Sequence, residues 1–261
     1  MRNTRFDNAQ RLIPAGSRLL DYGCGRGEFL QYIAANISQG VGVDLDSALA
    51  AGAAARSKQL NVSHLCGDAR CGLPFPDSSF DVIAALGVLE HVGPEEPFIK
   101  EFYRVLRPGG YLVVDVPSQG PFRWADIGNI KYNLPTLHRW FYLYVARQPQ
   151  YYHEHFSPDG AMFGQFSREA TQHRHYGRSD LSRLLGKNFT MLQQTKYGFF
   201  FEFIQLAEVL ATKALRWQGH QFFGWLMEHD CRLTSFWGRA NTVVVSRSAK
   251  TIEKVEGSAT V

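Results

Sequence analysis

The chain has 261 residues, 45% of them hydrophobic, 20% charged and 13% aromatic, a balance that excludes a disordered polymer. No run approaches the ~18 uninterrupted apolar residues of a membrane-spanning helix. The net charge of +4 is divided unevenly, with −2 over residues 1–117 and +6 over residues 118–261. The opening segment carries Arg2, Arg5 and Arg11 without an apolar stretch, so a secretory signal is not expected and a cytoplasmic protein is.

Residues 1–117 alternate strand-like and helix-like segments. Arg18–Tyr22 reads as a short apolar strand ending in a glycine-rich turn, and Glu28–Asn36 as a helix with Phe29, Leu30 and Ile33 on one face. Gly40–Asp44 is a second strand, followed by an alanine-rich helix that Ser47 would cap and that runs to Lys58. Val62–Cys66, Phe80–Leu86 and Tyr111–Val116 complete five strands, with a helix from Pro94 to Leu106 before the last, ended by Arg107-Pro-Gly-Gly. Strands alternating with helices predict a parallel sheet covered on both faces.

Beyond Pro117 the rhythm breaks. Residues 118–177 are rich in aromatics and histidine, with prolines at 121, 135, 149 and 158. A short helix capped by Ser179 follows, then a strand over Phe189–Tyr197, a long helical insert from about Phe199 to Gly238, and a strand over Thr242–Ser246. Cys24, Cys66, Cys71 and Cys231 match neither a zinc ribbon nor a CxxC pair, and read as reduced and mostly buried.

The turn after the first strand, Asp21-Tyr-Gly23-Cys24-Gly25-Arg-Gly27-Glu28, carries the chemistry. Its glycines admit a ligand close to the backbone, but Glu28 stands where a dinucleotide-binding turn needs a third glycine. A carboxylate just before the turn suits a cationic ligand better than a phosphate. DYGCGRG resembles the first motif of the class I S-adenosylmethionine (SAM)-dependent methyltransferases, and VGVDLD, CGDA, LPFPDSSFDVIAALGVLEHV and RVLRPGGYLVV resemble that family's later motifs in order.

The resemblance, covering about Arg18 to Pro117, implies SAM as cofactor. It also implies a role for each matching position. Asp44, followed by Leu45, would hold the ribose hydroxyls, and Asp68, followed by Ala69, the adenine amino group. Asp21 would face the sulfonium or the amino group of the methionine moiety. Gly23, Cys24, Gly25 and Gly27 would keep the space beside the ligand open, with Leu86, Gly87 and His91 lining its other side.

Methyl transfer needs alignment and exclusion of water, and a general base only where the acceptor must lose a proton. Two pairs, His153-Glu-His155 and His173-Arg-His175, stand in the second half. They offer a base, a four-histidine metal site, or ordinary hydrogen-bonded loop residues. HRHYGRSDL resembles the family's approach to the sixth strand, which favours His173 or His175 lining the substrate cavity; these two and His155 of the other pair are the catalytic candidates, and no metal is expected. Trp124, Tyr132, Trp140, Phe141, Tyr142, Tyr144, Tyr151 and Tyr152 suit either a lid or the core of a helical subdomain. The apolar face of YGFFFEFIQLAEVLATKALRW suits a lipid-linked substrate, a bilayer surface or a second copy of the chain, and equally packing on the sheet.

The expected fold is therefore α/β: a Rossmann-like, seven-stranded, mostly parallel sheet with helical insertions after strand five and between strands six and seven. The layout is a SAM-binding core over 1–117, a substrate-capping insertion over 118–178, the rest of the sheet over 179–247 with its insertion at 199–238, and a flexible tail over 248–261. The expected function is a methyltransferase acting on a small molecule, through a hydroxyl of a saccharide, lipid-linked or secondary metabolite. Protein or RNA methylation and a non-catalytic SAM-binding subunit are the alternatives, although no dense basic run points to nucleic acid.

Overall fold

Alternation along the central strands builds two cores. In the computed structural model, which describes residues 4–58, 60–120, 126–156, 174–213, 215–217, 219–234 and 241–250, seven strands form one sheet. They are β1 (Arg18–Tyr22), β2 (Gln39–Asp44), β3 (Val62–Cys66), β4 (Phe80–Leu86), β5 (Leu106–Pro117), β6 (Phe189–Tyr197) and β7 (Asn241–Ser248). The order is β3-β2-β1-β4-β5-β7-β6, with β7 antiparallel to both neighbours and the other pairings parallel.

Leu20, Ile83, Ala85, Leu112 and Val114 point to one face, against α4 (Glu96–Val105) and α8 (Arg178–Leu185), through Phe98, Phe102 and Leu181. Leu19, Val82, Ala84 and Val113 point to the other, against α1 (Thr4–Gln10), α2 (Glu28–Ile33) and Cys231 of α10 (His220–Leu233). Both faces are covered, as a parallel sheet requires. The insertions expected after strand five and before strand seven are present. α5 (Ile127–Asn133), α6 (Pro135–Trp140), a π-helical turn (Phe141–Val145) and α7 (Pro149–Phe156) follow β5, and α9 (Phe201–Lys213) and α10 separate β6 from β7.

Local chemistry moves several boundaries. Asp46, not Ser47, caps α3 (Ser47–Arg56): its carboxylate accepts the N–H groups of Ala48 and Leu49 at 2.8 and 3.1 Å. α8 starts from Gly177 rather than Ser179, because Asp180 accepts the Gly177 N–H at 2.9 Å. β5 begins at Leu106, where Phe80 pairs with it across a register shift, so Arg107-Pro-Gly-Gly is carried within the strand. The helix before it starts at Glu96, and the helix after the glycine turn is α-helical only to Ile33, closing with a 3-10 turn to Asn36. The expected insert over 199–238 is two helices, broken near Arg216, which has φ 54°, and Gly219. Among the cysteines, all free, Cys24 and Cys231 are buried, but Cys66 and Cys71 are exposed.

Candidate active site

The C-terminal ends of β1, β2, β3 and β4 meet along one edge, and the site is built there. The β1–α2 turn is shaped by positive φ at Gly23 (75°), Gly25 (50°) and Gly27 (73°). A Cβ on Gly23 would collide with Val88 Cγ2, whereas Gly25 opens onto space with no atom within 4 Å of where its Cβ would be. The turn is pinned to β2: the N–H groups of Gly23 and Cys24 donate to the Val43 carbonyl at 2.7 and 3.1 Å. Asp44, buried, accepts the Gly25 N–H at 2.7 Å through Oδ2 and the Asp46 N–H at 2.9 Å through Oδ1. The second strand's terminal carboxylate thus fixes the first strand's turn.

Beyond β3, Asp68 is gripped by Arg70, whose Nη2 donates to Oδ2 at 2.7 Å and whose Nε lies 3.0 and 3.1 Å from the two oxygens. That pairing holds the Asp68 carboxyl below its ordinary range. Ala69 donates its N–H to the Tyr22 hydroxyl at 3.2 Å. A cleft lies between these elements, lined by Gly23, Leu45, Asp68, Arg70, Val88 and Phe98. Of the residues expected at a donor site, Gly23, Leu45 and Asp68 therefore line one cleft, and Asp44 lies beneath its turn.

Asp21, also buried, is the penultimate residue of β1, just before the turn. Burial pushes its carboxyl up to about 7, with Arg5 opposing the shift and Asp44 adding to it. Leu86 closes β4 opposite Asp115 of β5, and Gly87 donates its N–H to the Asp115 carbonyl at 2.9 Å. His91 ends the 3-10 turn Leu89–His91, its Nε2 3.9 Å from Glu90 Oε1.

The sequence pattern did not single out Arg5, Asp115 and Tyr197. Arg5 Nε, shielded from solvent, lies 2.6 Å from Asp115 Oδ2, and the Tyr197 hydroxyl lies 2.9 Å from both Asp115 oxygens. An acid inside the apolar strand YLVVDV was the available signal, because a buried carboxylate requires a partner.

On the far side of β5, His175 is tied at both ring nitrogens. Nδ1 lies 2.9 Å from the Ser118 carbonyl and Nε2 lies 2.8 Å from Asp126 Oδ2, with each side chain only 7% exposed. Its neighbours anchor the same wall: Arg174 pairs with Glu95, and the Tyr176 hydroxyl is 2.8 Å from both the Leu89 carbonyl and Glu95 Oε1. His153 is exposed on α7; the His155 side chain and the whole of His173 lie outside the described residues. Trp124 and the expected tail beyond Lys250 also lie outside them. Among the described residues no cluster of three or more His, Cys, Asp or Glu is placed to hold a metal ion.

Residues 20–114 match a family described as a methyltransferase domain. Over 108 residues the chain is 37% identical to a probable S-adenosylmethionine-dependent methyltransferase of Mycolicibacterium smegmatis, covering 41% of each. Over 115 residues it is 38% identical to 27-O-demethylrifamycin SV methyltransferase of Amycolatopsis mediterranei, covering 41% of this chain and 42% of that one. The matches thus span about two fifths of the curated relatives' length. A crystal structure of an S-adenosylmethionine-dependent methyltransferase from Mesorhizobium loti shares the fold at 16% identity, with TM-score 0.57 over 94% of this chain and 98% of that one.

Proposed function

Taking residues 20–114 as the class I S-adenosylmethionine-dependent methyltransferase domain that they form, we propose that the whole protein methylates a small-molecule acceptor. The acceptor atom in this reading is a hydroxyl oxygen of a saccharide, a lipid-linked intermediate or a secondary metabolite. One observation carries the proposal: Asp21 and Asp44, near the ends of β1 and β2, flank the glycine turn, and Asp68, just past β3, lines the cleft beside it. That donor set repels a pyrophosphate and suits a cationic nucleoside with a ribose diol and an exocyclic amine.

The residues fit such a cofactor. Asp44 would accept from the ribose hydroxyls with the lone pairs its two backbone bonds leave free, and Asp68, oriented by Arg70, from the adenine amine. The empty space at Gly25 lets the ligand approach the backbone. When bound, the cofactor supplies a methyl carbon already activated on a sulfonium; the chain's own work is alignment and exclusion of water.

The acceptor enters from the second half, whose charge of +6 favours an anionic group. Leu215, Trp217, Phe222 and Trp225, exposed by 77, 49, 48 and 48%, support a lipid-linked or otherwise apolar acceptor. Where the acceptor must lose a proton, His155 and His173 are the proposed bases. His175, both nitrogens engaged, anchors the wall beyond the end of β5.

The test is transfer of a labelled methyl group from SAM to a panel of hydroxylated saccharides, lipid-linked saccharides and polyketide phenols. Label in one of these products supports the reading. Tight SAM binding with label in protein or RNA, or in no acceptor at all, contradicts it.

A further inference from the structure

The helical run of α6 and the π-helical turn has two apolar sides, and they meet different surroundings. On the inner side the buried Tyr142 stacks on Tyr151 of α7, ring centres 5.8 Å apart. The His138 ring lies 4.9 Å from Tyr142 and 5.8 Å from Tyr152, so these four rings form a small core. On the outer side stand Leu134, at the N-cap of α6, then Leu137, Trp140 and Tyr144, each half or more exposed. Their spacing of three, three and four residues sets them along one broad side of the run. An apolar stripe of this kind left in solvent marks a contact surface.

The charge around the stripe has one sign. Between Ile127 and His153 the sequence holds Lys131, Arg139 and Arg147 and neither Asp nor Glu. Lys131 Nζ lies 5.0 Å from the centre of the Tyr132 ring. Arg139 and Arg147 are exposed, and neither meets a carboxylate among the described residues. Acids on the adjoining elements are engaged elsewhere: Asp126, before α5, by His175, and Glu208 of α9 by His220. Glu154, the first acid after the stretch, has its side chain outside the described residues. The turn from α9 to α10 adjoins the end of the run, because Lys213 Nζ donates to Gln148 Oε1 at 3.0 Å and lies 4.3 Å from the Tyr151 ring centre. That turn repeats the composition, with Leu215, Arg216 and Trp217 exposed.

We propose that the outer side of α6 and the π-helical turn is a docking surface for an anionic phospholipid bilayer. Leu134 and Leu137 enter the acyl boundary, and the Trp140 and Tyr144 rings rest at headgroup level, where one end is apolar and the other wet. Arg139 and Arg147 meet the lipid phosphates. A second copy of the chain fits less well, because pairing this side with itself brings two positive, acid-free surfaces together. The inference goes beyond methyl transfer and holds whichever acceptor is used.

The test is flotation of the full chain with vesicles of phosphatidylcholine alone and of phosphatidylcholine with about one third phosphatidylglycerol. The expected result is binding to the mixed vesicles, about tenfold or more weaker on phosphatidylcholine alone, and falling as salt rises from about 0.05 to 0.5 M. Arg139→Ala/Arg147→Ala is expected to weaken binding to the mixed vesicles about 25-fold, about fivefold for each charge. Leu134→Ser/Leu137→Ser is expected to weaken it about tenfold or more. All four side chains are exposed and none lines the donor cleft, so circular dichroism and SAM affinity should stay unchanged in both variants.

Failure to bind the mixed vesicles, equal binding to the two kinds of vesicle, or binding that both paired variants retain overturns the proposal. A concentration-dependent dimer in light scattering, lost in Leu134→Ser/Leu137→Ser and unaccompanied by vesicle binding, gives this side to a second copy and overturns it too. Should the leucine pair fail to fold by circular dichroism, the arginine pair and the salt series decide.

Discussion

Asp44 and Gly25 are joined by a 2.7 Å hydrogen bond from the glycine N–H to Oδ2, so the carboxylate proposed to hold the donor's ribose also shapes the glycine turn. Asp44→Ala removes this bond and the one from the Asp46 N–H. Hydrogen bonds to a charged group are worth about 1.5–3 kcal/mol each, and water replaces part of that here. The variant is expected to lose about 2 kcal/mol in denaturant unfolding and about two orders of magnitude in SAM affinity by calorimetry.

Asp21 makes the empty protein pH-sensitive. Its carboxyl stands at about 7 in the folded chain against 3.8 ordinarily, so the folded state holds the proton more tightly. The stability this contributes is fully present below the unfolded value of 3.8 and is lost as pH rises through about 7. Asp21→Asn is therefore expected to melt higher than the unaltered protein at pH 8 without ligand, and to bind SAM poorly. Equal melting temperatures at pH 8 would contradict the burial of an ionised Asp21.

Gly23→Ala tests the turn itself. The new methyl group meets Val88 Cγ2, and φ of 75° is unfavourable for any L side chain. Overpacking and backbone strain each cost about 1–3 kcal/mol. Adding Val88→Ala removes the collision and leaves the strain, so thermal melting should show partial rescue only.

His175 should behave as part of a wall. His175→Ala leaves the buried Asp126 carboxylate and the Ser118 carbonyl short of a partner, at a cost of about 1–3 kcal/mol. The expected kinetic signature is a raised KM for the acceptor with unchanged SAM affinity. A collapse of kcat alone, with stability and KM intact, would return His175 to the base role.

The sheet was legible because its short apolar runs and glycine breakers are local signals, whereas the order β3-β2-β1-β4-β5-β7-β6 is set by pairings between strands distant in sequence. Asp21, Asp44 and Asp68 were legible through the motifs DYGCGRG, VGVDLD and CGDA, which place a carboxylate at, or within two residues of, the end of each of the first three strands. Arg5 was not: α1 is seven residues, TRFDNAQ, with no periodic stripe, and its partner Asp115 is 110 positions away. The cap of α3 was misplaced by one residue because Asp46 and Ser47 are both good caps and only the hydrogen-bond geometry separates them.

The measurement that bears most directly on the whole account is a calorimetric titration of SAM into the full chain at neutral pH, with Asp44→Ala beside it. The account predicts micromolar, one-to-one binding in the unaltered chain and binding about a hundredfold weaker in Asp44→Ala at matched fold by circular dichroism. No binding in the unaltered chain, or equal binding in both, would contradict it.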